Sequence, residues 1–174
     1  DTASTDHRSK HQFWPKTAPN GNKVFKFTMG MSVMYSPFFL IAHTYSKISN
    51  HYTDNGFSKP YEIALALSCL FYLIFGLFFL RKTLLLFFSE FIASIVLVVL
   101  VVGTNLLYYS TSEPCMSHAY SFSLISIFIF LSIKWHQKQT IKKALVIGLV
   151  SGLIVLIRPV NLVILLFPFF LGVI

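Results

Sequence analysis

The chain has 174 residues, of which 55% are hydrophobic, 17% aromatic and only 11% charged. A water-soluble domain of this size has no interior large enough for that much apolar surface, so the runs must face lipid or one another. The net charge of +8 does not point to nucleic acid, because the cations stand at the ends of apolar runs and form no basic face interleaved with aromatics.

Residues 1–26 are polar and turn-rich, with PKTAPNGN at their centre and Arg8, Lys10, Lys16, Lys23 and Lys26 making them basic. They are expected to form an extracytoplasmic loop segment. In 27–50, Ser32, Ser36, His43, Lys47 and Asn50 fall on one helical face, which predicts an amphipathic helix lying in the membrane interface, kinked or restarted at Pro37. If this helix crossed the membrane instead, the basic tail would be cytoplasmic, as the positive-inside rule favours.

Residues 60–174 predict about five transmembrane helices, the last one truncated. The first, 60–80, opens at Pro60 and stops at Arg81 and Lys82. The next are 91–109, 120–135 and 142–157, and a fifth starts after Arg158-Pro159. Lipid offers no partner to a bare backbone group, so each span must be helical. The fold class is all-α, a polytopic transmembrane bundle. Gly148 and Gly152 make a small-xxx-small pattern that signals helix packing. Tyr, Phe and Trp at segment ends, including Tyr108 and Tyr109, are expected to anchor at the interface.

The loops at 81–90 and 134–143 carry two and four Arg or Lys respectively, whereas 110–119 carries none. This places the basic loops in the cytoplasm and YYSTSEPCMSHAY outside. The chain begins at Asp1 and stops within LFPFFLGVI, as expected of a piece of a longer protein. Cys69 lies in an apolar run and Cys115 in a loop, so no disulfide between them is expected.

Four residues carry the candidate chemistry. Glu113, stiffened by Pro114, suits a general base or a ligand for a cation or sugar hydroxyls, although a solvated loop acid is the plainer explanation. His118 could bind phosphate when charged or a divalent cation when neutral, though one acid and one imidazole define no metal site, so no cofactor is certain and a divalent cation is possible. Arg158 ends an apolar run, where it either snorkels to an interface or holds a phosphate in its guanidinium fork. Pro159 breaks the helix, and Asn161 is placed to cap the next one.

The stretches MGMSVMYSPFFLIAH, GTNLLYYSTSEPCMSHAYSF and GLVSGLIVLIRPVN, taken in this order, resemble C-type-fold membrane glycosyltransferases of the protein O-mannosyltransferase and aminoarabinose-transferase type (glycosyltransferase family 39), nearest the Bacteroidetes-type branch. The resemblance covers roughly residues 12–174. It implies a multi-pass enzyme of the bacterial inner membrane that moves a sugar, with inversion, from a polyprenyl-phosphate donor to an acceptor hydroxyl of a lipid, glycan or protein. It also implies a general base in the first outer loop, near which only Asp1 and Asp6 fall. Glu113-Pro114 matches a second-loop acidic position, often Asp-Pro, and Arg158 matches a basic position after a span. His118 and Asn161 are candidate substrate contacts to which the resemblance gives no role. The alternatives are a polytopic transporter or lipid flippase, which would explain the prolines and the deep arginine, and a structural subunit without a site.

Overall fold

The computed structural model describes residues 16–24, 29–49 and 51–171. The expectations for 1–15, including Asp1, Asp6, Arg8 and Lys10, and for 25–28, 50 and 172–174, lie outside the described residues. Among those described, seven α-helices and one 3-10 helix follow one another: α1 (Gly30–Ser49), α2 (Lys59–Leu84), α3 (Glu90–Gly103), α4 (Leu106–Thr111), α5 (His118–Gln137), α6 (Ile141–Ile157), the 3-10 helix (Pro159–Leu166) and α7 (Phe167–Phe170). A two-residue antiparallel pairing, β1 (Lys16–Thr17) with β2 (Lys23–Val24), closes the turn within PKTAPNGN. The other regular elements among the described residues are helices.

Two helices, α2 and α5, are long and apolar enough to cross a membrane. They run parallel. Ser68 meets Tyr120 near one end, Gly76 meets Ser123 midway, and Phe79 meets Phe130 further on. Small residues permit the close approach: a Cβ added at Gly76 would lie 2.7 Å from the Ser123 Cα. α6 returns antiparallel to α5, with Lys143 at the carbonyls of Lys134 and Lys138 at one end and Arg158 at His118 at the other. The shared core gathers Leu73, Tyr120, Leu124, Phe128, Val150 and Ile154.

Outward faces stay apolar. Ile74, Phe78, Val98, Leu145 and Leu149 are all exposed, and α3 buries only Ala93. A helix that is apolar on every side needs lipid or further protein around it.

Three local expectations change. The run 91–109 is not one helix: it breaks at Thr104, which is extended, and resumes as α4. The Thr104 hydroxyl serves both sides of the break, donating to the Leu100 carbonyl at 2.6 Å and accepting from the Leu106 N–H at 3.2 Å. α1 does not restart at Pro37 but runs through it. Proline has no N–H for the Val33 carbonyl, and the Ser36 hydroxyl donates to that carbonyl instead at 2.8 Å. After Arg158-Pro159 the chain forms 3-10 rather than α-helix, rising about 2 Å per residue back along α6.

α1 pairs with the first half of α2 as a helical hairpin. Met34 and Phe38 reach Tyr72, whereas His43 reaches Tyr61. The contacts advance along α1 as they retreat along α2, so the two helices are antiparallel. The start of α1 rests on the end of α6, where a Cβ on Gly30 would lie 2.4 Å from the Leu156 carbonyl carbon.

The two kinds of glycine predict opposite outcomes. Gly76→Ala forces backbone apart and should cost about 1–3 kcal/mol. Gly148→Ala, with nothing within 4 Å of the new Cβ, should be neutral or stabilising by up to about 1 kcal/mol. Thermal unfolding in detergent, followed by circular dichroism, reads the difference, and equal effects would refute the close α2–α5 contact.

Candidate functional site

The site forms where α6 ends. Pro159 has no N–H and crowds the residue before it, so Arg158 leaves the helix for an extended conformation (φ −147°, ψ 115°). This turns the guanidinium toward the first turn of α5, where Nη2 lies 3.3 Å from His118 Nε2. An arginine N–H only donates, so Nε2 accepts, which assigns a neutral imidazole with its proton on Nδ1. The positive charge therefore sits on Arg158 alone.

Three residues further along both elements the pattern repeats. Asn161 Nδ2 donates to the Ser121 hydroxyl at 3.2 Å. Asn161 was expected to cap the next helix, but that place is taken by Arg158, and the asparagine side chain ties the 3-10 helix to α5 instead. The two contacts clamp the chain after α6 onto the start of α5.

On its other side, His118 stacks on the Tyr109 ring with centroids 3.8 Å apart and planes 14° apart. An open cleft of about 400 Å³, lined by Thr104, Asn105, Leu106, Tyr109 and His118, lies beside the pair. The helix break at Thr104 is what opens it. Thus Arg158, His118 and Asn161 come together as a group, joined by Tyr109, which the sequence suggested only as an interface anchor.

Glu113 lies in the loop that leads into α5, half-buried, with its backbone carbonyl accepting the Met116 N–H at 2.9 Å. The loop is pinned from α1, since the Tyr35 hydroxyl donates to the Cys115 carbonyl. Glu113 is thus at the same end of the α5–α6 pair as Arg158. No ion pair to either residue occurs among the described residues. No cluster of three or more His, Cys, Asp or Glu side chains occurs among them either, so the described residues supply no ligand set for a divalent cation at His118.

His43, which fell on the polar stripe, is occupied elsewhere: its Nδ1 lies 2.7 Å from the Tyr61 hydroxyl, and its ring stacks on Phe39. Tyr120 is fully buried between Tyr35 and Tyr72, with its hydroxyl 2.6 Å from that of Ser68. The signal that could have found these tyrosines is the serine and histidine content of the facing helices, which supplies partners for their hydroxyls.

No family model, curated protein or solved structure matches the chain.

Both cysteines are free, Cys69 buried and Cys115 at the surface. Protein atoms crowding the Cys115 thiol, and next the negative charge of Glu113, push its pKa above the ordinary thiol value. Less thiolate is then present near neutrality, and labelling should keep rising with pH beyond the range of a free cysteine. Glu113→Gln removes one of the two causes and should speed maleimide labelling of Cys115 at pH 7.5. An unchanged rate would place the Glu113 carboxylate away from the thiol.

Proposed function

We propose that this chain is the part of a polytopic membrane glycosyltransferase that holds a polyprenyl-phosphate sugar donor at the non-cytoplasmic face of a bacterial plasma membrane. Two helices of spanning length, apolar outward faces and basic loops at one end support the multi-pass placement. The observation that carries the function is Arg158. It is half-buried at the end of α6, turned onto His118 by Pro159, and without a carboxylate partner among the described residues. A guanidinium so held calls for an anion, and phosphate oxygens match its fork.

In this mechanism Glu113 takes the proton of the acceptor hydroxyl as its oxygen attacks the anomeric carbon from the face opposite the phosphate. The bond from that carbon to the phosphate oxygen breaks, and its electron pair leaves with the lipid phosphate. Arg158 stabilises the charge that grows there, which is where a fixed cation contributes most. His118 and Asn161 hold the arginine's end of the site and line the approach of the donor. The acceptor hydroxyl arrives from a lipid, glycan or protein.

The broken helix at Thr104 and the 3-10 segment after Pro159 favour a second reading, a transporter or flippase, because discontinuous helices frame many transport sites. Proteoliposomes bearing the full-length protein and undecaprenyl-phospho-mannose separate the two. Transfer predicts release of undecaprenyl phosphate, slowed at least about 100-fold by Glu113→Gln and by a similar factor by Arg158→Ala. Arg158→Lys, with the charge but not the fork, should fall between. Donor crossing the bilayer with its sugar intact would replace the transferase by the transporter, and full turnover in both variants would remove the site.

A further inference from the structure

We propose that the opposite end of the α5–α6 pair is a binding site for one anionic phospholipid, with an acyl chain beside Trp135 and the phosphate on Lys138 and Lys142. An apolar trough of about 240 Å³ runs there between α5, α6 and α7, lined by Ser132, Trp135, Ala144, Ile147, Gly148 and Pro168. Gly148 keeps it open, since nothing lies within 4 Å of its Cβ position. The glycine pair expected to pack against a helix thus has no helix on it among the described residues.

The trough leads to cations. Lys138 is the extended residue just past the end of α5 (φ −150°, ψ 100°), three positions after Trp135, and Lys142 stands in the first turn of α6 ahead of Ala144. Both are exposed. Lys143 turns inward, its amine on the carbonyls of Lys134 and Lys138 at 2.8 and 3.1 Å, and Lys134 bonds the Gln137 side-chain oxygen at 3.1 Å. Those partners are neutral, so the four positive charges have no counter-charge among the described residues.

The chain itself offers no counter-charge nearby in sequence. From Pro114 to Ile174 there is no Asp or Glu, and the acid at the junction of α2 and α3, Glu90, is taken by Arg81. A second helix filling the trough would have to bring acids with it. An anionic lipid brings both the chain and the charge, and basic pockets between spans on the cytoplasmic side suit such head groups. A tryptophan at this level marks the headgroup boundary. The inference needs only that α5 and α6 lie in a bilayer, and Glu113 and Arg158 play no part in it.

Quenching of Trp135 provides the test. The full-length protein, in a variant where Trp135 is the sole tryptophan (Trp14→Phe among the changes), is placed in phosphatidylcholine nanodiscs. Each contains the same fraction of acyl-brominated phosphatidylglycerol or acyl-brominated phosphatidylcholine. The anionic lipid should quench Trp135 at the lower mole fraction. Lys138→Gln with Lys142→Gln should erase that preference, raising the phosphatidylglycerol needed for half-quenching by about fivefold per lysine. Gly148→Leu should fill the trough and reduce quenching by both lipids. Equal quenching by the two lipids in the unsubstituted chain would overturn the proposal. So would a preference that survives loss of both lysines, or no quenching by either lipid, which would mean that protein covers the trough. None of these outcomes touches sugar turnover, so the transferase is judged separately.

Discussion

A backbone carbonyl stranded without an N–H in an apolar bundle costs about 2–7 kcal/mol, and every interruption of these helices creates some. This chain answers with side-chain donors. Ser36 serves the carbonyl that Pro37 abandons, and Thr104 serves the end of α3. Lys143 closes the end of α5, and the Cys69 thiol reaches the Tyr109 carbonyl near the end of α4. Because those donors are in place, helices can break where the site needs an opening instead of running through. The cleft at Thr104 depends on that freedom.

The same economy explains how α5 can be central. Its serines at 121, 123, 126 and 132 are all buried, and they are small enough to let neighbouring helices close in. Ser126 returns its hydroxyl to the Phe122 carbonyl at 2.8 Å, and Ser121 takes the Asn161 amide. Larger residues at these places would push α2 away, and with it the Ser68–Tyr120 bond that orders the tyrosine cluster.

The sequence showed where the long helices lie because charges and prolines bracket their apolar runs. The runs 60–80, 120–135 and 142–157 sit within helices 59–84, 118–137 and 141–157. It did not show the break at Thr104, since one threonine and one asparagine barely dent the hydropathy of 91–109. Nor did it show that Asn161 would reach across to Ser121, because a capping role and a cross-helix bond use the same residue type. Arg158 and His118 stood out individually as a charge and an imidazole in oily surroundings. Their meeting, 40 residues apart, follows from the antiparallel return of α6, and the stacking of Tyr109 on His118 from the length of the intervening loop. Neither has a local signature.

α1 touches both sides of the candidate site. Gly30 presses on the backbone of Leu156 and Ile157, the two residues before Arg158, while Tyr35, one and a half turns later, grips the loop that carries Glu113. The arginine and the carboxylate thus hang from a single rigid lever. Whatever displaces that helix therefore reaches the arginine and the carboxylate together.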